Sequence, residues 1–418
     1  MAEYIKKHWA GEYAGVTRKE RKGGFYEMYS PDTIDGRPFN LSGETAADIS
    51  DAERAIIEIN KQAVALSNTE ALARLILRAE AISSSRIEGL IIGARRILKA
   101  ELTDQASDST AQEVLNNIKA MDEALSKATQ EEISIESIQM IHAALLENTE
   151  LSAYAGEIRE VQNWIGGNYH NPCDATYVPP SPELLPELME DLVRFCNSER
   201  LSPLAQAAIA HAQFETIHPF VDGNGRAGRA LIHLILRRRG LCPSVVPPIS
   251  LMLATMKDGY INQLKFYRHD GSAESLKAVE GLNSWLSFFA ASTLRACENA
   301  TVFEGKIEAL KKKWFDRLKV ERTSNAVVEV IDVMIGQPLF SAQLIQKATG
   351  RSLPTVNTAI ERLEDAGIVK QLTVGKRNRV FEAVGILELF NEFERQLASP
   401  ADDTDIEKPS RPVPMRKA

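Results

Sequence analysis

His218-Pro219-Phe220-Val221-Asp222-Gly223-Asn224-Gly225-Arg226-Ala227-Gly228-Arg229 is the run on which the reading of this chain turns. It puts an imidazole, a carboxylate, a glycine-rich turn and two arginines within one loop and the start of one helix. An unperturbed histidine has a pKa of about 6.5, so near neutral pH His218 can take a proton from a hydroxyl. General-base help of that kind is worth about 10²–10⁴ in rate. Asp222 offers the hard oxygen that magnesium on phosphates uses alongside water. Gly223 and Gly225 let the backbone come close to an anion, and their N–H groups precede a helix N-terminus, where anions are favoured. The Asn224 amide can donate to a phosphate oxygen. Arg226 and Arg229 fall on one helical face, and their guanidinium forks suit the distal phosphates. A helix–loop–helix corner would explain any one of these residues, but not all of them in one loop. Together they suit a metal-bound triphosphate and an attacking hydroxyl.

Outward from this run the pattern is mainly helical. The segment from Pro203 to Ile217 predicts a helix into the loop, and a second runs from about Arg226 to Arg239 and stops at Gly240. Before them, Val161, Trp164 and Ile165, then Gly166-Gly167, then Tyr177-Val178-Pro179-Pro180 predict two short strands around a loop. Helical periodicity begins near Ile49. Ser67-Asn68-Thr69-Glu70 has the form of a capping box ahead of a helix of Leu72, Leu75, Ile76 and Ile82. Residues 1–50, with the turn-prone Lys22-Gly23-Gly24 and Asp35-Gly36-Arg37-Pro38, read as an N-terminal arm with little regular structure. Residues 51–305 form the helical domain. The charged stretch Glu308–Arg322 marks a linker helix or boundary.

Residues 323–396 have another grammar. A helix of Val327, Val330 and Ile331 precedes a short helix from Ser341. Gly350 makes a turn, Ser352 caps a longer helix with Pro354 in its first turn, and Gly367 ends it. Val369 to Val380, split by Gly375-Lys376-Arg377-Asn378, reads as a hairpin. That is the order of a winged helix-turn-helix. Residues 399–418 are proline-rich and charged without an apolar period and are expected to be disordered.

The totals narrow the function. The 418 residues carry a net charge of −8, so no global basic field attracts nucleic acid. The longest apolar stretches are too short to span a bilayer, and the N-terminus lacks the apolar core of a secretion signal. Cys173, Cys196, Cys242 and Cys297 lie far apart, which argues against a zinc site and for a reducing cytoplasm.

The opening run resembles the Fic family signature, His-x-Phe-x-Asp/Glu-Gly-Asn-Gly-Arg-x-x-Arg, at every fixed position. The resemblance covers about residues 50–300. It implies a helical Fic fold with a small β-hairpin flap, and transfer of AMP from ATP to a Tyr, Thr or Ser hydroxyl of a target protein. It implies His218 as the base, Asp222 as the Mg²⁺ residue, and Gly223, Asn224 and Gly225 as the anion cradle, with Asn224 on the α-phosphate. Arg229 would meet the γ-phosphate and Arg226 would help bind the phosphate chain. The phosphate-transferring branch lacks the intact Gly-Asn-Gly-Arg kept here, which favours AMP transfer.

Ser84-Ser85-Arg86-Ile87-Glu88-Gly89 is similar to the family's inhibitory motif, Ser/Thr-x-x-x-Glu-Gly/Asn. Ser84 and Glu88 fall on one helical face. The resemblance implies that Glu88 pairs with Arg229 and takes the arginine needed by the γ-phosphate, so that the enzyme restrains itself. The hairpin Val161–Gly166 with Ala175–Val178 resembles the flap that docks the target, with Trp164 and Ile165 beside the target residue; a small hairpin completing the core is the equal alternative. Many Fic proteins carry two adjacent tyrosines by the adenine pocket; here the pair is Tyr260-Ile261, so Tyr260 is the nucleotide candidate, with a core or surface tyrosine as the alternative. His211 reads as a satisfied core histidine.

In the C-terminal module Thr355, Asn357, Thr358 and Arg362 face outward on the candidate recognition helix, and Lys376, Arg377 and Arg379 make a basic wing. Glu361, Glu364 and Asp365 oppose a basic face, so DNA contact and protein docking or dimerisation both stay open. The expected protein is a cytoplasmic, self-inhibited adenylyltransferase that uses Mg²⁺ and ATP on a target protein or on itself. The alternatives are an enzyme that removes AMP from a modified protein and an ATP-sensing DNA-binding regulator.

Overall fold

The computed structural model describes residues 1–398 except 12–16, 18–20, 22, 66–68, 104–107, 128–131, 169, 319–324 and 373–378. The chain opens with an antiparallel pair, β1 (Glu3–Trp9) and β2 (Gly24–Ser30). Helices follow: α1 (Gly43–Ala65), α2 (Thr69–Ile87), α3 (Ala94–Thr103), α4 (Ser109–Lys127) and α5 (Ile135–Leu146). After an irregular stretch come α6 (Leu185–Asn197), α7 (Pro203–Ile217), α8 (Asn224–Arg238), α9 (Ile249–Thr255), α10 (Lys257–Tyr267) and α11 (Leu276–Leu318). The C-terminal unit is α12 (Asn325–Gly336), β3 (Leu339–Ser341), α13 (Ala342–Thr349), α14 (Leu353–Asp365), β4 (Val369–Gln371), β5 (Val380–Ala383) and α15 (Ile386–Ala398). The protein is mainly α with two small sheets. Among the described residues no helix is long and apolar enough to cross a membrane.

The antiparallel helices α7 and α8 sit at the centre. In α7 apolar and small residues run all round, and nearly every side chain is buried, as expected of a helix enclosed on every side. Pro203 opens it in the first turn, where its missing N–H costs nothing. The two helices touch closely at Gly228: a Cβ there would lie 2.9 Å from the Phe214 ring and 3.1 Å from His211 Nδ1. Gly240 lies just beyond α8 at φ +72°, and its N–H caps the Arg237 carbonyl at 3.0 Å. Around α8 stand α2, α4 and α5, each of which sends a side chain to its N-terminal end.

The N-terminal arm differs from expectation. It contains a regular strand pair whose register runs from Glu3↔Ser30 to Trp9↔Gly24. Of Lys22-Gly23-Gly24, read as a turn, Lys22 lies outside the described residues and Gly24 opens β2. The pair is anchored rather than loose: the Tyr29 N–H donates to Val178 O at 2.9 Å, and its hydroxyl donates to His269 O at 2.8 Å. The helix from Leu72 to Ile82 is present as part of α2, whereas the proposed cap at Ser67 and Asn68 lies outside the described residues.

The charged stretch near Glu308 is the distal part of α11, which runs unbroken over 43 residues. Beyond it, β3, β5 and β4 form one antiparallel sheet in that order, β5 central. Ser341 and Ser352 cap α13 and α14, accepting from Leu344 N–H and Thr355 N–H. Gly350 and Gly367 take positive φ at the helix ends. The tip with Lys376 and Arg377, and the tail 399–418, lie outside the described residues. Arg379 reaches back to Asn357 Oδ1 at 3.2 Å.

This C-terminal unit packs directly on α2. Gly336 faces the Ala71 backbone so closely that a Cβ would lie 3.0 Å from it. Arg78 in mid-α2 bonds the Gly336 carbonyl, Gln337 and Glu101. Arg86, inside the expected inhibitory motif, pairs with Glu394 of α15 at 3.1 Å.

Candidate active site

The loop is built by two left-handed turns. His218 closes α7 at φ +51°, its N–H donating to Phe214 O at 2.8 Å. Gly223 opens α8 at φ +75°. A non-glycine residue at positive φ is uncommon and strained; among the described residues only Asn148 and His218 adopt it. Between the turns Asn224 staples the loop, its Oδ1 accepting from Phe220 N–H and its Nδ2 donating to Phe220 O, both at 2.8 Å. The amide assigned from sequence to a phosphate oxygen is therefore buried and engaged in shaping the loop. The physical reason is local: the buried Phe220 N–H and carbonyl lie in the loop, outside any helix ladder, and need a partner.

His218 is partly buried. Desolvation lowers its pKa to about 4, Arg159 adding to the shift and Glu88 opposing it. Its imidazole is thus neutral throughout the physiological range. Asp222 stands more open, its side chain 54% exposed. Arg226 is buried between two acids, with Nη1 3.2 Å from Glu113 Oε2 and Nη2 3.6 Å from Asp222 Oδ2. His142 of α5 holds the loop from beneath. Gly156 N–H donates to its Nδ1 at 3.0 Å, so Nε2 carries the proton and donates to Asp222 O at 2.9 Å. Its ring stacks on Phe220 at 3.7 Å. Burial lowers the His142 pKa to about 4, against the pull of Asp222.

Arg229 is 1% exposed and is bound to the end of α2 by three bonds. Nε donates to Ser84 Oγ and Nη2 to Ser84 O, both at 2.9 Å, and Nη2 also meets Glu88 Oε1 at 2.6 Å. Desolvation works to raise the Glu88 pKa, but Arg229, with help from Arg226 and His218, holds it below the usual carboxylate range. Burial likewise opposes charge on Arg229, yet Glu88 leads the groups that raise its pKa. The carboxylate also fills the cradle: a Cβ on Gly225 would lie 2.1 Å from Glu88 Oε1. Glu88 thus occupies the start of α8, where partial positive charge favours an anion.

The Fic/DOC family pattern matches residues 132–236, and its N-terminal companion matches residues 46–126. These two stretches of the chain are similar to the Fic/DOC family. Protein adenylyltransferase fic-1 of Caenorhabditis elegans is 38% identical over 120 residues, covering 28% of this chain and 22% of that protein. Protein adenylyltransferase Fic of Drosophila grimshawi is 30% identical over 210 residues, 47% of this chain and 41% of that one. The chain thus spans less than half the length of these curated relatives. A Fic family protein from Desulfovibrio desulfuricans G20 superposes with a TM-score of 0.51 at 19% identity, covering 83% of this chain and 98% of that one, a likeness of fold.

Tyr260 and the flap lie close to the His218–Arg229 loop, and the flap differs from expectation. Tyr260 is 3% exposed, its hydroxyl bonds His211 Nε2 at 2.8 Å, and its ring packs among His211 and Trp285. Its burial is that of the core alternative. His211 is the buried core histidine expected, lowered by burial to about 3. The flap holds one antiparallel bridge, Ile165 with Tyr177, instead of two strands. Gly166 and Gly167 both turn at φ +77°, and Pro179 and Pro180 lack N–H donors. Trp164 packs edge-on against Trp9 at 5.9 Å, turned to the N-terminal pair, whereas Val161 and Ile165 stay exposed.

Three residues escaped the sequence reading: His142, Glu113 and Arg159. Each lies far along the chain from the loop it holds. Glu215, three residues before His218, is a fourth; burial raises its pKa to about 7 against the pull of Arg229.

Proposed function

We propose that this protein transfers AMP from ATP to a hydroxyl of a protein, and that Glu88 restrains the transfer. The carrying observation is that one carboxylate fills the space over Gly225 and holds Arg229, at the same helix end that His218 borders. Phosphates and Glu88 would compete for that space. With Glu88 withdrawn, Arg229 and the α8 N-terminus would hold the phosphates. His218, neutral near pH 7, would accept the proton of the attacking hydroxyl, and pyrophosphate would leave. Positioning and electrostatics carry such a reaction.

Asp222 fits magnesium. Among the described residues no cluster of three or more His, Cys, Asp or Glu exists to cage a metal, and magnesium on phosphates needs one or two carboxylates plus water. Asp222 would hold the ion, which would supply charge neutralisation along the phosphate chain. The relatives named protein adenylyltransferase support a protein acceptor. The C-terminal unit we read as a winged helix-turn-helix, from its helix, strand, helix, helix, strand, strand order.

The test uses wild type and Glu88→Gly with ATP labelled at the α- or γ-phosphate, in cell extract. Protein-bound α-label in Glu88→Gly should exceed wild type by about tenfold or more, since each 1.4 kcal/mol of lost charge-assisted pairing is one power of ten. Label from γ alone would mean phosphorylation. No label in either protein would favour a nucleotide sensor. Loss of label from a pre-modified extract would indicate AMP removal.

A further inference from the structure

Arg159 lies in the stretch before the flap and is 3% exposed. A buried guanidinium ordinarily finds a carboxylate; among the described residues none lies within ion-pair distance of this one. Its partners are main-chain carbonyls on three segments. Nε donates to His218 O at 2.9 Å, Nη1 to Val161 O at 3.0 Å and Nη2 to Pro180 O at 2.6 Å. Its own N–H donates to Pro219 O at 2.9 Å. Two neighbours extend the seam: Asn163 Nδ2 donates to Phe220 O and Gln162 Nε2 to Pro179 O, both at 2.9 Å. One planar fork therefore grips both sides of the flap's base and the strained residue that carries the imidazole.

We propose that Arg159 is a positioning residue of the transfer reaction, fixing the flap and His218 in one register so that a docked hydroxyl meets the ring. The proposal rests on the AMP-transfer reading. The bond to His218 O restrains the φ +51° turn that aims the ring. The same fork ties Val161 O to Pro180 O at the base of the flap, beside exposed Val161 and Ile165. The charge has a second effect. Groups facing His218 are Arg159, Glu88 from the end of α2, the Glu215 carbonyl of α7, and Arg268 after α10. Arg159 and Arg268 disfavour the imidazolium, while Glu88 and the Glu215 carbonyl favour it.

The test compares Arg159→Met and Arg159→Lys, each in the Glu88→Gly background, with circular dichroism confirming the fold. Transfer of α-label to extract protein should fall roughly 10²-fold in Arg159→Met, as expected for displaced reacting groups, while the KM for ATP changes little. Histidine NMR titration should show the His218 pKa rising in Arg159→Met and staying low in Arg159→Lys, which keeps charge but loses the fork. Arg159→Lys should still transfer slowly. An unmoved His218 pKa, or equal damage to ATP KM and transfer rate, would overturn the proposal. Should Arg159→Met fail to fold, Arg159→Lys decides by its rate and KM. If Glu88→Gly with Arg159 intact transfers no label, the AMP-transfer reading falls, and the titration still judges Arg159.

Discussion

Two buried arginines flank one loop, and they are held in opposite ways. Arg229 is fastened by Glu88 and by the Ser84 hydroxyl and carbonyl, all from the end of a single helix. Arg159 is fastened by carbonyls of Val161, Pro180 and His218, drawn from separate segments. A carboxylate can be displaced by another anion, and a helix end can withdraw. Peptide carbonyls neither titrate nor leave. The first arrangement suits a cation that changes partners, the second a cation that keeps them.

The comparison breaks most sharply if Arg229 proves to be a structural group. In the Glu88→Gly background, Arg229→Ala should cut ATP-dependent labelling by roughly 10²-fold, the scale of about 3 kcal/mol for charge-assisted contacts. Its thermal melt should stay near that of Glu88→Gly alone. A large melt loss with unchanged labelling would reverse the roles of the two arginines.

The opposite outcome is expected for Arg159 in the otherwise wild-type chain. Replacement by Met leaves three buried carbonyls without their donor, and unsatisfied groups cost about 1–3 kcal/mol each before relaxation. Denaturant unfolding should lose about 2–4 kcal/mol. A loss below 0.5 kcal/mol, on the ~1 kcal/mol scale of a typical bond, would mean that water replaces the fork.

The smallest effect expected is flatness. His218 must be neutral to accept a proton, and its pKa is lowered to about 4. Activity should therefore be complete well above that value and be lost as pH falls through it. Glu88 favours the imidazolium, so Glu88→Gly moves this limb no higher. The pH–rate profile of Glu88→Gly should show no histidine limb between pH 5 and 8, and a limb near the ordinary value of about 6.5 would contradict the field described.

These contrasts also explain what the sequence made legible. The loop from His218 to Arg229 is twelve consecutive residues, so its turns and cations can be read without knowing any long-range contact. Ser84 and Glu88 share a helical face and are similar to a known motif; their meeting with Arg229, across more than 140 residues, needed that resemblance to be anticipated. Arg159 had no such signal, because a carbonyl partner leaves no trace in side-chain identity. The β1–β2 pair was missed because its outward residues break the alternation that marks a half-buried strand, and its anchor is a main-chain bond to Val178. Position alone leaves Tyr260 between the nucleotide and the core, and only packing shows it against Trp285 and His211.

Gly225 carries a consequence of its own. Since a methyl group there would overlap Glu88 Oε1 at 2.1 Å, the residue leaves room for one guest at a time. On that footing an incoming anion would have to evict the resident before it could stay. On the AMP-transfer reading the resting state would be set by a contest between two affinities, and trimming the resident acid would tip that contest. Enlarging the glycine would ruin the arena for both contenders.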